Sequence, residues 1–575
     1  IFVLSIYTKV CFFTFIYYIV LPLKIQLFIF ATILFSNIII GQNFYLKING
    51  NSLSENKTID SIGYKKIHSN TKSLINEYKT VSERIIKLGY IDFDNKGKEK
   101  VNDSTFTFRG TLGKKIKHTY IKIETEDNIS FLNDAKQDTI KIPFEETENY
   151  ITNLSKKLER NGYSMAKTKL LTLRKSEDIL YCTLKIDSGQ KRFLNDIVFN
   201  GYEKFPKNHK KNLIRLFRNK TFNQENLENL YSNINKFRFI NQTKYPEILF
   251  KKDSTIAYAY LEKSKSNTFD GIIGFSNNEQ KKIVFNGYLD LVLNNILNSG
   301  ERVSIFWKSD GEEQRTFSAK FELPYLFNSP IGLKTELQIF KQDSTFQNTK
   351  TSLDLGYFFN YSTRLYLGYE SKESSDIQNT NSSSISDFEN TFYTSTFEYI
   401  DLNRDDFLFP EKTNLKIKIG TGERNSKFQK NKQFFASVNS SYNLTLNKRN
   451  SINLKLESFY LKSDAYIINE LYRFGGINSI RGFKENSLQA NFLSSIQSEY
   501  RYHLASNFYI HSIIDYAFYE DNSLDSNNTL YGLGFGFGVI TKNGLINIIY
   551  ANGSTQEQNI KLSNSIIHLS LKTNF

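Results

Sequence analysis

The stretch SYNLTLNKRNSINLKLESFYL, residues 441–461, indicates the fold because apolar side chains recur in it at every second position. A polar segment, residues 447–450, interrupts the alternation and has the composition of a turn. The apolar positions are Tyr442, Leu444, Leu446, Ile452, Leu454 and Leu456. A period of two is typical of strands with one apolar face, so this stretch predicts a β-hairpin.

The same period of two runs from about Asn267 to the last residue. In the final segment Ile567, Leu569, Leu571, Thr573 and Phe575 point one way, while His568, Ser570, Lys572 and Asn574 point the other. Such strands build either a soluble sandwich or a membrane barrel with lipid on one face and a wet lumen on the other. No helical layer is predicted to cover them, which favours the barrel, and at about 10 residues a strand the length fits roughly 16 strands. The last strand is expected to pair with the first and so remove both edges.

The composition agrees with a strand-rich, exported chain. Aromatic residues make up 15% of the 575 residues, with one Trp and seven Pro, and the mean hydropathy is −0.42. After the N-terminus no uninterrupted apolar run reaches the length of about 18 residues that a transmembrane helix needs. Residues 1–41 carry only Lys9 and Lys24 as charges and predict a signal peptide with cleavage near Gly41, the alternative being one or two membrane helices. The only Met is Met165, so the true start of translation is expected within these 41 residues.

The number of cysteines and the distribution of charge further restrict the class of protein. Cys11 lies in the predicted signal, so Cys182 is alone in the mature chain and a disulfide framework there is excluded. Residues 42–263 hold 41 Lys and Arg against 27 Asp and Glu, a net charge of +14, whereas residues 264–575 hold 31 against 32. An exported protein rarely meets nucleic acid, so no nucleic-acid partner is predicted. Two interpretations of the basic half stay open. It either presents a face to anionic lipid or acidic clients, or its charges are merely solvated.

The basic half repeats a strand–helix–strand plan with a period near 75 residues. In the first unit an apolar stripe of Leu74, Tyr78, Val81, Ile85 and Leu88 predicts a helix, and Gly89 ends it. The second unit has a helical stretch at residues 148–163 ending at Gly162, and the third has one at residues 223–237. We therefore predict α+β units at 42–113, 114–189 and 190–263, followed by the barrel at 264–575.

One long loop departs from the strand pattern. The stretch YRFGGINSIRGFKEN, residues 472–486, places three glycines and two arginines between alternating segments. Taken alone, it fits an ordinary outer loop with a solvated arginine as well as an inward-folded loop.

These features together resemble the BamA/TamA superfamily of outer-membrane assembly proteins (the bacterial surface antigen family), in which periplasmic POTRA repeats precede a sixteen-stranded barrel. The three units resemble POTRA repeats, including the Gly-aromatic pair after each of the first two helices and DIVFNG opening the third unit. RFGGINSIRGF resembles the family's loop signature, and SEYRY and IIDYAFY resemble the two strands that follow it. Three repeats resemble TamA more than the five-repeat BamA. Two departures concern subfamily only: Thr413 stands in the Pro-x-x-Gly motif where the family has Gly, and Ala517 stands where Gly is common.

The resemblance implies roles for particular residues. The loop motif comprises Gly475, Gly476, Ile480, Arg481, Gly482 and Phe483. Arg481 is expected to enter the lumen and pair with Glu499 and Asp515, because a guanidinium and two carboxylates compensate one another when partly desolvated. The terminal strand, with Ile567, Leu569, Leu571 and Phe575, is expected to form a weak seam with the first strand.

The resemblance also implies a function in the outer membrane, with the repeats in the periplasm. The expected role is insertion of unfolded outer-membrane proteins at the seam, with the bilayer and these clients as partners. An inner-membrane-anchored partner protein is an option the resemblance leaves open. The alternative is a two-partner-type secretion transporter that passes a client through the lumen, and a passive porin is the third class. No nucleophile elbow, phosphate loop or metal-ligand spacing appears, so neither an enzyme nor a cofactor is predicted.

Overall fold

The computed structural model describes residues 43–125, 129, 139–277, 283–310, 314–379, 381–382, 384–403, 406, 408–541, 544–556, 561 and 565–575. The predicted signal peptide and Cys11 lie outside these residues. The chain divides into two compact units, the first ending at Lys191 and the second running from Arg192 to Phe575. Among the described residues, none of the helices is both long and apolar enough to cross a bilayer.

The first compact unit begins with a four-stranded sheet covered by two helices. An apolar stripe on the second helix, Leu74, Tyr78, Val81 and Ile85, is buried against this sheet, as its spacing predicts. The helices begin at the capping residues Ser52 and Asn70, whose side chains accept hydrogen bonds from the first turn. The sheet has the order β2-β1-β4-β3. The elements are β1 (Phe44–Asn49), α1 (Leu53–Ile62), β2 (Ile67–His68), α2 (Thr71–Lys87), β3 (Asp94–Lys100) and β4 (Thr105–Thr111).

A second four-stranded sheet completes this unit. Its strands are β5 (His118–Glu124), β6 (Ile140–Pro143), β7 (Lys167–Ser176) and β8 (Ile179–Asp187), and its helix is α3 (Thr147–Arg160). The order is β6-β5-β8-β7. Leu154 and Leu158 of α3 are buried in its core, and Cys182 is a buried free thiol on β8.

The second compact unit begins with a three-stranded sheet and two helices. These are β9 (Leu194–Asn200), α4 (Lys207–Phe217), α5 (Gln224–Asn235), β10 (Ile240–Phe250) and β11 (Thr255–Lys263), with the order β10-β11-β9. Helix α5 lies where the sequence predicts it, whereas α1 and α4 were not predicted. The POTRA-like α/β character of the N-terminal half is confirmed, and the number of repeats and the bounds of the domains stay predictions.

The rest of this unit is a closed barrel of sixteen strands in which all neighbours are antiparallel, which confirms the predicted fold class. Strands β23 and β24 form a separate two-stranded ribbon in the loop between β22 and β25. The strands up to that loop are β12 (Thr268–Asn277), β13 (Ile283–Asn294), β14 (Arg302–Asp310), β15 (Gln314–Leu323), β16 (Ile331–Gln342), β17 (Phe346–Phe358), β18 (Thr363–Asp376), β19 (Phe388–Leu402), β20 (Glu411–Ser426), β21 (Lys430–Thr445) and β22 (Asn450–Lys462). The loop ribbon and the last strands are β23 (Tyr472–Phe474), β24 (Leu488–Ala490), β25 (Phe492–Ala505), β26 (Phe508–Asp521), β27 (Ser526–Thr541), β28 (Gly544–Thr555) and β29 (Ile566–Asn574).

The two faces of the barrel wall differ as a lipid-facing barrel requires. On β18 the outward side chain of Leu367 is 65% exposed, while Arg364 and Tyr366 point inward and are buried. The inner wall carries charged pairs, such as Lys418 Nζ with Glu370 Oε2 at 2.5 Å. An apolar exterior around a charged interior is the arrangement of a transmembrane barrel.

Candidate functional site: the lumen loop and the barrel seam

The loop between β22 and β25 folds into the barrel. Its ribbon pairs Tyr472 with Ala490 and Phe474 with Leu488. Ile480 is fully buried in a small apolar cluster with Phe474 and wall residues, and Phe483 packs against the same cluster. The loop and the barrel wall therefore share an apolar core inside the lumen.

The Arg481 side chain lies between two carboxylates on neighbouring wall strands. Its Nε and Nη2 donate to Asp515 on β26 at 2.8 and 2.5 Å, and its Nη1 donates to Glu499 on β25. The backbone N–H of Arg481 also donates to Asp515, at 3.0 Å. Arg501 shares Glu499, with its Nη2 2.6 Å from Oε2. Two guanidinium groups thus face two carboxylates, a balance that offsets much of the cost of removing these charges from water.

Glycines let the loop backbone approach the wall at this point. Gly482 has φ +91°, and a Cβ there would overlap the backbone of Asn552 and Gly553 on β28. Gly475 and Gly476, with φ of +104° and +100°, turn the chain at the end of the ribbon. Any other residue at Gly482 would push the loop away from β28 and disturb the position of Arg481.

The seam between β12 and β29 is the shortest pairing in the barrel among the described residues. Only Thr268–Asn574, Phe269–Thr573 and Asp270–Lys572 are partners there, whereas β19 and β20 share fifteen residue pairs. Residues 271–277 and 566–571 have no partner across the seam in the described structure. Outward side chains of β29 are exposed next to this gap, namely Ile567 (69%), Leu569 (46%) and Leu571 (37%), and Phe575, which follows β29, is 52% exposed.

A side chain from the neighbouring strand supports the seam. The hydroxyl of Tyr288 on β13 donates to Asp270 Oδ1 at 2.7 Å and lies 3.4 Å from the carbonyl oxygen of Leu569 on β29. It therefore reaches across β12 to a carbonyl that has no strand partner. The sequence offered no signal for this contact.

The third α/β sheet is fastened to the turns at one mouth of the barrel. On α4, Asn208 Nδ2 donates to the carbonyl oxygens of Ser299 and Pro324, at 2.9 and 3.0 Å. Asn212 Nδ2 donates to those of Asn328 and Ser329, at 3.3 and 3.2 Å. Between them, His209 is fully buried among aromatic rings from both sides, and burial lowers its pKa to about 3.

Histidines and acids elsewhere do not gather into a metal site. Within the ranges given above, no group of three or more His, Cys, Asp or Glu is placed to hold a metal ion. His503 and His511 lie on β25 and β26.

The fold and the inward loop define a class: an outer-membrane β-barrel preceded by POTRA-like units. Residues 295–575 match the Omp85 superfamily domain, so the barrel of this chain belongs to the Omp85 superfamily. The resemblance to the BamA/TamA type of this family is thereby confirmed, whereas the particular likeness to TamA stays a prediction.

Solved structures with this fold include two called CdiB. CdiB from Acinetobacter baumannii is 13% identical with a TM-score of 0.52, covering 80% of this chain and 91% of that one. CdiB from Escherichia coli is 14% identical with a TM-score of 0.50, covering 87% and 97%. BamA from Haemophilus ducreyi lacking POTRA domains 1–3 is 15% identical with a TM-score of 0.45, covering 79% and 99%. At these identities the CdiB structures establish the fold alone. No curated protein matches the sequence.

Proposed function

We propose that this protein inserts unfolded outer-membrane proteins into the outer membrane at the seam between β12 and β29. In this proposal the N-terminal repeats lie in the periplasm and receive the clients, where an inner-membrane-anchored partner would also meet them. The seam itself is the observation that supports the proposal most. Catalysis is no part of it.

The seam offers a client what a strand needs. Unpaired N–H and C=O groups along residues 271–277 and 566–571 are a template for an added strand. Each unsatisfied backbone group in lipid costs several kcal/mol, so a client strand that pairs there lowers the free energy of the barrel. A short seam also suits a locally thinned bilayer, which lowers the barrier to insertion.

The lengths of the barrel connections support a periplasmic position for the third sheet. Asn208 and Asn212 bind turns at the end of the barrel where no connection between successive barrel strands exceeds eight residues. The long loop, residues 463–491, leaves from the opposite end. Barrels of this kind place short turns on the periplasmic side and long loops outside.

The second candidate is a two-partner-type secretion transporter. A cavity of about 870 Å³ inside the barrel, lined by charged residues such as Arg302, Lys416 and Glu398, favours it. The Arg481 loop occupies the lumen beside this cavity, which favours insertion at the seam over passage through the interior.

A disulfide across the seam distinguishes the two. Phe269 and Thr573 are direct partners, so the variant Phe269→Cys with Thr573→Cys is placed to close the seam covalently. We expect oxidation to reduce client assembly at least tenfold in reconstituted membranes, and reductant to restore it. The matched control is Ser395→Cys with Ile419→Cys, direct partners on β19 and β20, which should keep full activity. Full activity of the oxidised seam variant would contradict insertion at the seam and favour a lumen route.

A further inference from the structure

The lumen loop has a second attachment, separate from Arg481. The Glu470 carboxylate accepts hydrogen bonds from Arg424 Nη1, from Gln433 Nε2 at 2.8 Å and from the backbone N–H of Ile467 at 3.1 Å. The side chains of Glu470 and Arg424 are 0% and 2% exposed. Burying a carboxylate to this degree costs much free energy unless hydrogen bonds and a paired cation compensate for the lost water.

Neighbouring groups bind the same segment of the loop. Asn348 Nδ2 donates to the carbonyl oxygen of Asn469 at 2.8 Å, and Lys372 Nζ donates to that of Glu470 at 2.9 Å. The side-chain amide of Asn469 in turn donates to Ser374 Oγ and to the carbonyl oxygen of Ser386, both at 2.8 Å. Residues 469–470 are therefore enclosed by polar contacts from the wall.

The two attachments lie on different arcs of the barrel. The wall-strand partners of residues 469–470 belong to β17, β18, β20 and β21, whereas the Arg481 partners belong to β25 and β26. Because the arcs are separated by β22, the loop connects two parts of the wall that do not pair with each other.

The first attachment borders the lumen cavity. Glu470, Leu471, Tyr472 and Arg473 all line the cavity of about 870 Å³. The segment that Glu470 fastens is therefore part of the wall of this cavity.

We propose that Glu470 is a positioning residue whose pairing with Arg424 keeps the lumen closed, independently of the Arg481 pairing. Arg481 holds the tip of the loop against the wall, and Glu470 holds its first segment across the pore. Loss of the Glu470 pairing opens a conducting path, which loss of an ion pair confined to the wall does not.

Planar-bilayer conductance of the full-length protein tests this. The variant is Glu470→Leu with Arg424→Met, which removes both charges and leaves neither buried alone. The matched control is Glu322→Leu with Arg364→Met, another Arg–Glu pair on the inner wall, whose Nη1–Oε1 contact joins β18 to β15 without touching the loop. Both are first checked for the heat-modifiable gel mobility of a folded barrel.

We expect the Glu470/Arg424 variant to conduct at least threefold more than the wild type and the control to stay within about 1.5-fold of it, since the lumen constriction sets the conductance. Unchanged conductance in the folded Glu470/Arg424 variant, or an equal rise in the control, would overturn the proposal. If that variant does not fold, two other variants test the proposal. Glu470→Gln should raise the conductance, whereas the exchanged pair Glu470→Arg with Arg424→Glu should leave it unchanged. Unchanged conductance in Glu470→Gln, or a rise in the exchanged pair, would refute the proposal.

Discussion

The seam and the lumen loop differ in how firmly each is joined to the rest of the barrel. At the seam three residue pairs join β12 to β29, and residues 271–277 and 566–571 have no partner across the seam in the described structure. In the lumen, the loop is held by buried ion pairs on two arcs of the wall. The described barrel is therefore joined by fewer contacts at the seam than at the lumen loop, and the proposed insertion of clients depends on this difference.

Strand propensity alone does not explain the weak seam. Ile272, Ile273, Leu569 and Leu571 are as suited to a strand as the residues of β19. Gly271 and Gly274 reduce the strand preference of β12, and the register pairs only the start of β12 with the end of β29. The difference thus lies in register, which three residue pairs specify weakly and fifteen specify strongly.

The largest effect expected concerns the Arg481 attachment. Arg481→Ala leaves Asp515 buried without its cation, so we expect a loss of about 3–5 kcal/mol of unfolding free energy. Denaturant unfolding followed by the fluorescence of Trp307, the single Trp, measures it. Arg473→Ala is the control in the same loop, because Arg473 forms no ion pair within the part of the chain that the structure describes.

Two results would weaken the contrast between loop and seam. Equal losses for Arg481→Ala and Arg473→Ala would show that the carboxylate pairing adds little. A triple variant with Arg481→Ala, Glu499→Gln and Asp515→Asn that matched the wild type in heat-modifiable mobility and in complementation would show the same.

We expect a smaller loss of free energy at the contact between the third sheet and the barrel. Like the lumen loop, and unlike the seam, this contact is expected to be held by buried side-chain contacts. Asn208→Ala with Asn212→Ala removes two side-chain amides that each donate to two turn carbonyls, at about 0.5–1.5 kcal/mol for each amide. Limited proteolysis should cleave residues 264–267 faster in this variant. Asn233→Ala, which loses only a bond within α5, should resist like the wild type. Equal cleavage of both would show that the asparagines do not hold the junction.

The smallest effect depends on pH and on His209. Its pKa is lowered by burial to about 3, against about 6.5 when it is exposed. Above pH 6.5 the ring is neutral whether docked or not, and the junction keeps its full stability. As pH falls from 6.5 toward 3, only the undocked form gains the proton, so docking weakens by about 1.4 kcal/mol per pH unit.

Proteolysis of the same linker at pH 7.5 and pH 5.0 measures this. Cleavage should accelerate at pH 5.0 in the wild type but not in His209→Gln, whose side chain does not titrate. An equal acceleration in both proteins would mean that another group is responsible.

The sequence predicted what local patterns encode. The period of two predicted the barrel and its approximate strand number, and the stripe from Leu74 to Ile85 predicted a helix that the structure contains. The loop motif directed attention to Arg481, Glu499 and Asp515, which the structure brings together.

Contacts between residues that are far apart in the sequence leave no such local pattern in it. Glu470 and Arg424 are 46 residues apart and look like ordinary loop and strand charges. Asn208 and Asn212 are typical of any polar helix face, and only the folded chain shows that this face meets barrel turns. The Tyr288 contact depends on the register of the seam, which alternation alone does not determine.

Amide hydrogen exchange of the folded barrel compares the seam with the rest of the wall, because it reports backbone pairing residue by residue. About half of the amides of residues 271–274 and 566–571 face the seam, since the others pair with β13 and β28. The seam-facing amides should exchange at least tenfold faster than those of residues 388–402 on β19, measured by mass spectrometry in the same lipid nanodiscs. Equal protection of the seam and of β19 would contradict a weak seam and, with it, insertion at that edge.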